Sequence, residues 1–258
     1  MSDISDWFKT IPVFTRYWFG STIALTLIGR FGIVSPYTLI LLYEPFLKKF
    51  QIWRPLTALF YYPLSPQTGF HFLINLYFLY TYSKRLEEDH FSGRPSDYLF
   101  MLLFNWICCV TAGLIIGMPL LMDAMILSVL YVWCQLNKDT IVTFWFGTRF
   151  KAMYLPWVLF GFNMILNGMG LTELIGIIIG HLYFFLKFKY PQELGGPVLL
   201  DTPSVLKQWF PDRIGGVHTF GMAPRRPQTG TASGNRNSGS SGLFGRRNLG
   251  QGHVLGGS

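Results

Sequence analysis

Residues Tyr98–Gly117 read YLFMLLFNWICCVTAGLIIG, twenty positions with no Asp, Glu, Lys or Arg. An α-helix needs roughly 20 apolar residues to cross the hydrocarbon core of a bilayer. The same texture continues on both sides of this stretch. Of the 258 residues 50% are hydrophobic, 17% aromatic and 13% charged, where an ordinary soluble domain carries about 25% charge. A soluble fold could not hide so much apolar surface. After Tyr190 the chain turns polar and Gly-rich. This asymmetry divides it into a membrane domain over residues 1–190 and a soluble tail over residues 191–258.

Hydropathy marks six candidate spans: Tyr17–Val34, Phe70–Tyr82, Tyr98–Gly117, Leu120–Leu136, Tyr154–Leu166 and Met169–Phe188. The expected fold is therefore an all-α membrane protein. No small-residue cleavage site follows the first span, so it is expected to be retained. The second and fifth spans are short, which a bilayer accommodates by thinning locally. They carry Asn75 and Asn163, and amides in hydrocarbon must face protein or water. Asn105 and Glu173 pose the same problem, and with Asn163 they are candidates to line a wet cavity.

An even number of spans puts both termini on one side. With cytosolic termini, that side collects 17 of the 21 Lys and Arg, and the other keeps Arg30, Lys48, Lys49 and Arg54. The positive-inside rule thus places both ends in the cytosol. The net charge of +8 gathers at membrane-flanking positions, so the partner expected for it is anionic lipid rather than nucleic acid. Ahead of the first span, Ile4, Trp7, Phe8 and Ile11 recur at helical spacing and predict an interfacial helix over about residues 2–12. Cys108, Cys109 and Cys134 lie in apolar stretches and are expected to be packed thiols. Five scattered histidines and the Cys spacing suggest no metal or organic cofactor.

Three motifs stand out. Trp53-Arg54-Pro55 lies in the long first connection. His71, Asn75, Leu79, Ser83 and Glu87 follow at intervals of four, which puts neighbours on one slowly drifting helical stripe. Gly176-x-x-x-Gly180 in the sixth span lets two helices approach closely. That glycine pair could act inside one subunit or between two, so a homo-oligomer stays open.

A Trp-Arg pair, then His-x-x-x-Asn, then Gly-x-x-x-Gly in this order resembles the rhomboid superfamily. The resemblance implies a six-helix rhomboid-like fold in which the His and Asn belong to the oxyanion hole. A rhomboid protease also carries Gly-x-Ser-Gly in the fourth span and a His three residues before the first Gly of the pair. Here the nucleophile position aligns near Met122, the serine of that stretch is Ser128 between Leu127 and Val129, and Glu173 stands where the His would be. A serine attacks a carbonyl only with a base within reach, and a carboxylate of ordinary pKa, about 4.3, is a poor one. His181 lies eight residues further on, roughly 12 Å along a helix. No enzyme activity is expected.

Longer runs resemble the Derlin family of rhomboid-like pseudoproteases: Asp6-Trp7-Phe8, Phe50–Pro55 (FQIWRP), Asp97–Ile107 (DYLFMLLFNWI), Ser128–Trp133 (SVLYVW), Phe144–Ala152 (FWFGTRFKA) and Gly180–Phe185 (GHLYFF). That resemblance implies a multi-pass protein of the endoplasmic reticulum membrane that recognises misfolded clients and moves them to the cytosol, together with a ubiquitin ligase complex. In the tail, Leu249, Gly250, Gln251, Gly252 and Leu255 resemble the Gly-x-Gly-x-x-Leu core by which Derlins recruit a cytosolic AAA ATPase segregase. Leu249 replaces the usual aromatic residue there. Residues 228–258 are too poor in large apolar residues to repay ordering and are expected to be disordered. Two readings from other classes compete: an active intramembrane serine protease, which would depend on Ser128, and a small-solute channel, which would conduct without any client.

Overall fold

The computed structural model describes residues 2–143, 147–167 and 170–212. Helix α1 (Ser2–Thr10) precedes α2 (Val13–Arg30), and three short helices, α3 (Pro36–Leu39), α4 (Tyr43–Lys48) and α5 (Arg54–Phe60), build the first connection. Then come α6 (Gly69–Arg85), α7 (Pro95–Ile116), α8 (Met122–Leu136), α9 (Leu155–Asn167) and α10 (Leu171–Phe184), followed by α11 (Tyr190–Glu193) and α12 (Ser204–Trp209). Each stretch read as a candidate span thus contains one of these helices. Among the described residues two are long and apolar enough to cross a membrane by themselves, Pro95–Ile116 and the continuous run Leu171–Glu193.

The all-α expectation needs one correction. Between α8 and α9 the chain forms a two-stranded antiparallel hairpin, β1 (Ile141–Thr143) with β2 (Arg149–Lys151), in the register Val142↔Phe150. The β-branched run Ile141-Val142-Thr143 favours extended backbone, but a segment this short is masked by the apolar helices around it.

Helix ends differ from the hydropathy reading for local reasons. The first helix was expected at Tyr17–Val34 but runs Val13–Arg30. It stops where Gly32 takes a φ of +72°; the Gly32 amide donates to the Gly29 carbonyl and the Ile33 amide to that of Ile28. This pair of bonds is the Schellman arrangement, for which glycine has no Cβ penalty. Pro12 precedes its start, and the first-turn amides there find a remote partner, described below.

Helix α8 lies at the centre, buried over almost its whole length from Met122 to Cys134. It packs most intimately against α10, where glycines replace side chains. A Cβ on Gly176 would lie 2.5 Å from the Ala124 carbonyl oxygen, and one on Gly180 would lie 2.6 Å from that of Ser128. The glycine pair is therefore used inside the chain, backbone to backbone. Cys109 and Cys134 are buried in the core and Cys108 is half-buried, all as free thiols.

The first connection is tied down rather than loose. Arg54 is 2% exposed; it donates to Gln51 Oε1 at 2.6 Å and to the carbonyls of Tyr37 and Ile40 at 2.7 and 2.8 Å. Trp53 stays half-exposed beside it. Leu41 and Ala58 pair with the turn between α7 and α8 through the Leu41 amide on the Pro119 carbonyl and the Leu121 amide on that of Ala58.

The composition break at residue 190 falls inside continuous structure. Lys187 donates to the Leu200 carbonyl at 2.6 Å, the Thr202 hydroxyl donates to Asp97, and the Phe210 ring packs tilted against Phe14 with centroids 5.3 Å apart. The chain up to Asp212 thus lies along the start of α7 and α2. Leu249–Gly256, with the tail motif, lies outside the described residues.

Candidate functional site

The His71-to-Glu87 stripe faces inward along its whole length, and it builds two polar clusters at opposite ends of α6. At the far end a π-helical turn (Leu86–His90) continues α6 and carries Glu87 to the start of α2. There its carboxylate accepts from the amides of Phe14 and Thr15 at 3.0 and 2.9 Å and from the Thr15 hydroxyl at 2.8 Å. Glu87 thus caps α2 from another helix, satisfying amides that no intrahelical carbonyl can reach and opposing the helix dipole. Ser83, one turn earlier, bonds Thr15 Oγ1 at 2.8 Å and the Tyr98 hydroxyl at 2.6 Å. Burial raises the Glu87 pKa above its usual value, while the donors of Thr15 and Phe14 pull it back. Beside it His90 packs between Phe91 and Phe188, and burial lowers its pKa to about 4.

At the near end of α6 the second cluster gathers residues from five segments. The Asn75 amide donates to Asp123 Oδ1 at 2.6 Å and approaches His71 Nδ1 at 3.3 Å. An amide NH₂ can only donate, so Nδ1 is the acceptor and the neutral ring carries its proton on Nε2. The Tyr62 hydroxyl therefore donates to the same Nδ1, at 2.7 Å. Across from them Asn163 of α9 donates to Glu173 of α10 at 3.1 Å. A cavity of about 10 Å³ lies between Asn75, Asp123, Asn163 and Glu173, close to the space one water needs. His71 Nε2 is buried toward Asn163 without a well-formed hydrogen bond.

Asn105 is set apart. It is buried in α7 with neither side-chain polar atom bonded, and it does not line this cavity. Two further residues complete the cluster: Tyr62, which carried no sequence signal, and Asp123, which the sequence marked only as an acid near the start of an apolar stretch, open to the same structural or cavity role as Glu173. Tyr62 precedes α6 in an irregular segment, and Asp123 is an isolated acid at the start of α8. Only the approach of α8 to α6 gives Asp123 its amide.

The chemistry of the cluster is that of a locked polar plug. Ser128 is fully buried, donates to the Met125 carbonyl at 2.8 Å, and sits one turn and more below Asp123. His181 Nδ1 is engaged with the Tyr131 hydroxyl at 2.8 Å. Among the described residues no group of three or more His, Cys, Asp or Glu is arranged to hold a metal ion.

A model of the Der1-like family matches residues 11–204. The chain belongs to the Der1-like family. Among its curated relatives, Derlin-1 of Homo sapiens is 59% identical over 256 residues, covering 99% of both chains. Derlin-1 of Caenorhabditis elegans is 52% identical over 216 residues, 84% of this chain and 88% of that one. Derlin-2.1 of Arabidopsis thaliana is 33% identical over 220 residues, 81% and 88% respectively. The Der1-like match spans both polar clusters and the glycine seam, and it ends at Ser204, the first residue of α12.

Proposed function

We propose that this protein is a non-catalytic component of endoplasmic-reticulum-associated degradation, which recognises misfolded lumenal and membrane proteins and passes them to the cytosol. In this reading α2, α6, α7, α8, α9 and α10 are six spans of the endoplasmic reticulum membrane, with both termini cytosolic. The Glu87 cluster then faces the cytosol and the His71 cluster the lumen. The observation that carries the reading is the near full-length likeness to Derlin-1 proteins at 59% identity, which extends through the tail.

The geometry supports the pseudoprotease part of it. Nucleophilic catalysis needs an oxygen and a base within hydrogen-bond reach of each other. The serine and the histidine of α8 and α10 are each bonded elsewhere, and at the Asn75 end two carboxylates stand instead. A bond made to Asp123 also occupies the amide that would otherwise stabilise an oxyanion. The short α9, 13 residues, spans about 20 Å, well short of a hydrocarbon core of about 30 Å. A bilayer thinned beside it lowers the barrier to moving a polypeptide. Leu249, Gly250, Gln251, Gly252 and Leu255 then link the membrane domain to an AAA ATPase that extracts the client, alongside a ubiquitin ligase complex.

The test is client turnover in cells lacking the endogenous protein. Full-length chain restores the degradation of a misfolded lumenal client, and Gly250→Ala/Gly252→Ala/Leu255→Ala restores less while losing the ATPase in pull-downs. A client half-life unchanged by the chain itself refutes the reading.

A further inference from the structure

A second hollow lies at the His71 end, apart from the polar plug. It is an open depression of about 240 Å³ between the last turn of α2 and the residues leading into α6, far roomier than the one-water cavity beside Asp123. Gly29 makes it possible. The Tyr61 ring rests directly on that glycine, where a Cβ would come within 2.4 Å of it, and the turn at Gly32 then carries the chain away.

The walls are largely satisfied. Ser65 Oγ and Thr68 Oγ1 bond each other at 3.0 Å, and Thr68 Oγ1 donates to the Pro63 carbonyl at 2.7 Å. No carboxylate lines the hollow. Two donors are left over, the guanidinium of Arg30 and the hydroxyl of Tyr61, neither of which has a hydrogen bond or ion pair among the described residues. Burial raises the Tyr61 pKa, so its hydroxyl keeps the proton it would donate.

The other basic residues of this end are differently disposed. Lys48 is paired with Glu44 at 2.6 Å and Arg54 is buried on carbonyls, whereas Lys49 has no ion pair among the described residues but does not line the hollow. Next to Arg30 in the turn that follows α2, Phe31 and Ile33 are each 73% exposed. A guanidinium without a partner among the described residues, followed by exposed apolar side chains, is the pattern of a bilayer's headgroup level.

We propose that this hollow binds a phosphate group, Arg30 donating two parallel N–H bonds to its oxygens and Tyr61 a third, and that the phosphate is the headgroup of an anionic phospholipid. Arg presents its donors in a fixed fork that matches phosphate oxygens. The phosphate chemistry rests on the hollow alone; its lipid source rests on reading α2 and α6 as membrane spans.

The experiment uses the full chain reconstituted in nanodiscs with spin-labelled phosphatidylglycerol as the probe, and compares wild type with Arg30→Gln, Tyr61→Phe and Lys49→Gln. Arg30 is exposed, so its replacement should leave the thermal midpoint unchanged, which is checked in parallel. Loss of about tenfold or more in lipid affinity for Arg30→Gln, a smaller loss for Tyr61→Phe and none for Lys49→Gln is the expected result. Inorganic phosphate that binds the wild type, and not Arg30→Gln, where the lipid does not bind, supports the phosphate site and overturns its lipid source. Equal binding by wild type and Arg30→Gln of both probes overturns the proposal.

Discussion

Replacing Gly180 with Ala tests the α8–α10 seam most directly. The added Cβ would meet the Ser128 carbonyl oxygen at 2.6 Å, the Tyr131 Cβ at 2.9 Å and the Ser128 Cα at 3.1 Å. Two of these atoms are backbone of a buried helix and cannot swing aside, so the helices must separate by a good part of an ångström. Overpacking of this kind costs about 1–3 kcal/mol, and separation also loosens the contact at Gly176, so the two sites are not independent. For a chain of this size each kcal/mol lowers the midpoint by about 2–4 °C. The control is Gly161→Ala in α9, where nothing lies within 4 Å of an added Cβ. Helix propensity there favours alanine by about 1 kcal/mol. Thermal denaturation of the detergent-purified chain should show Gly180→Ala lowered and Gly161→Ala unchanged or raised. Equal shifts for the two variants would refute the description of the seam.

Two further outcomes follow from the polar clusters. Asp123→Ala leaves the Asn75 amide buried without its acceptor and should cost about 1–3 kcal/mol; in a double-mutant cycle Asn75→Ala should remove most of that cost, and additive losses would mean that the two do not interact. At the other end of α6, pH acts in opposite directions on two neighbours. His90, whose folded pKa lies near 4 against an ordinary 6.5, contributes stability that is present above pH 6.5 and lost as pH falls toward 4. Glu87, whose folded pKa is raised, contributes stability that is present below the usual carboxylate range and lost as pH rises through its folded value. Denaturation profiles between pH 4 and 7 should therefore lose their acid-side fall in His90→Gln and lose the opposing slope in Glu87→Gln. A His90→Gln profile that matches wild type would contradict the burial of that ring.

Much of the fold is written locally. Each apolar run became a helix because a long uncharged stretch satisfies its backbone internally, and the spacing of four from His71 to Glu87 put one inward stripe on α6. The same rule hides a hairpin as short as Ile141–Thr143, since three residues have no period to read. The chain's own letters also marked Arg54 and the glycine pair as special residue types, although not what they touch. Tertiary structure alone decided that Gly176 and Gly180 lie against α8 of the same chain, that Glu87 caps α2 across more than seventy residues of sequence, and that Asp123 takes the amide of Asn75. Each of these depends on which helix faces which, a choice made by close packing among several apolar surfaces. Hydropathy treats those surfaces as equal, and only the volumes and unpaired polar groups that meet in the folded chain distinguish them.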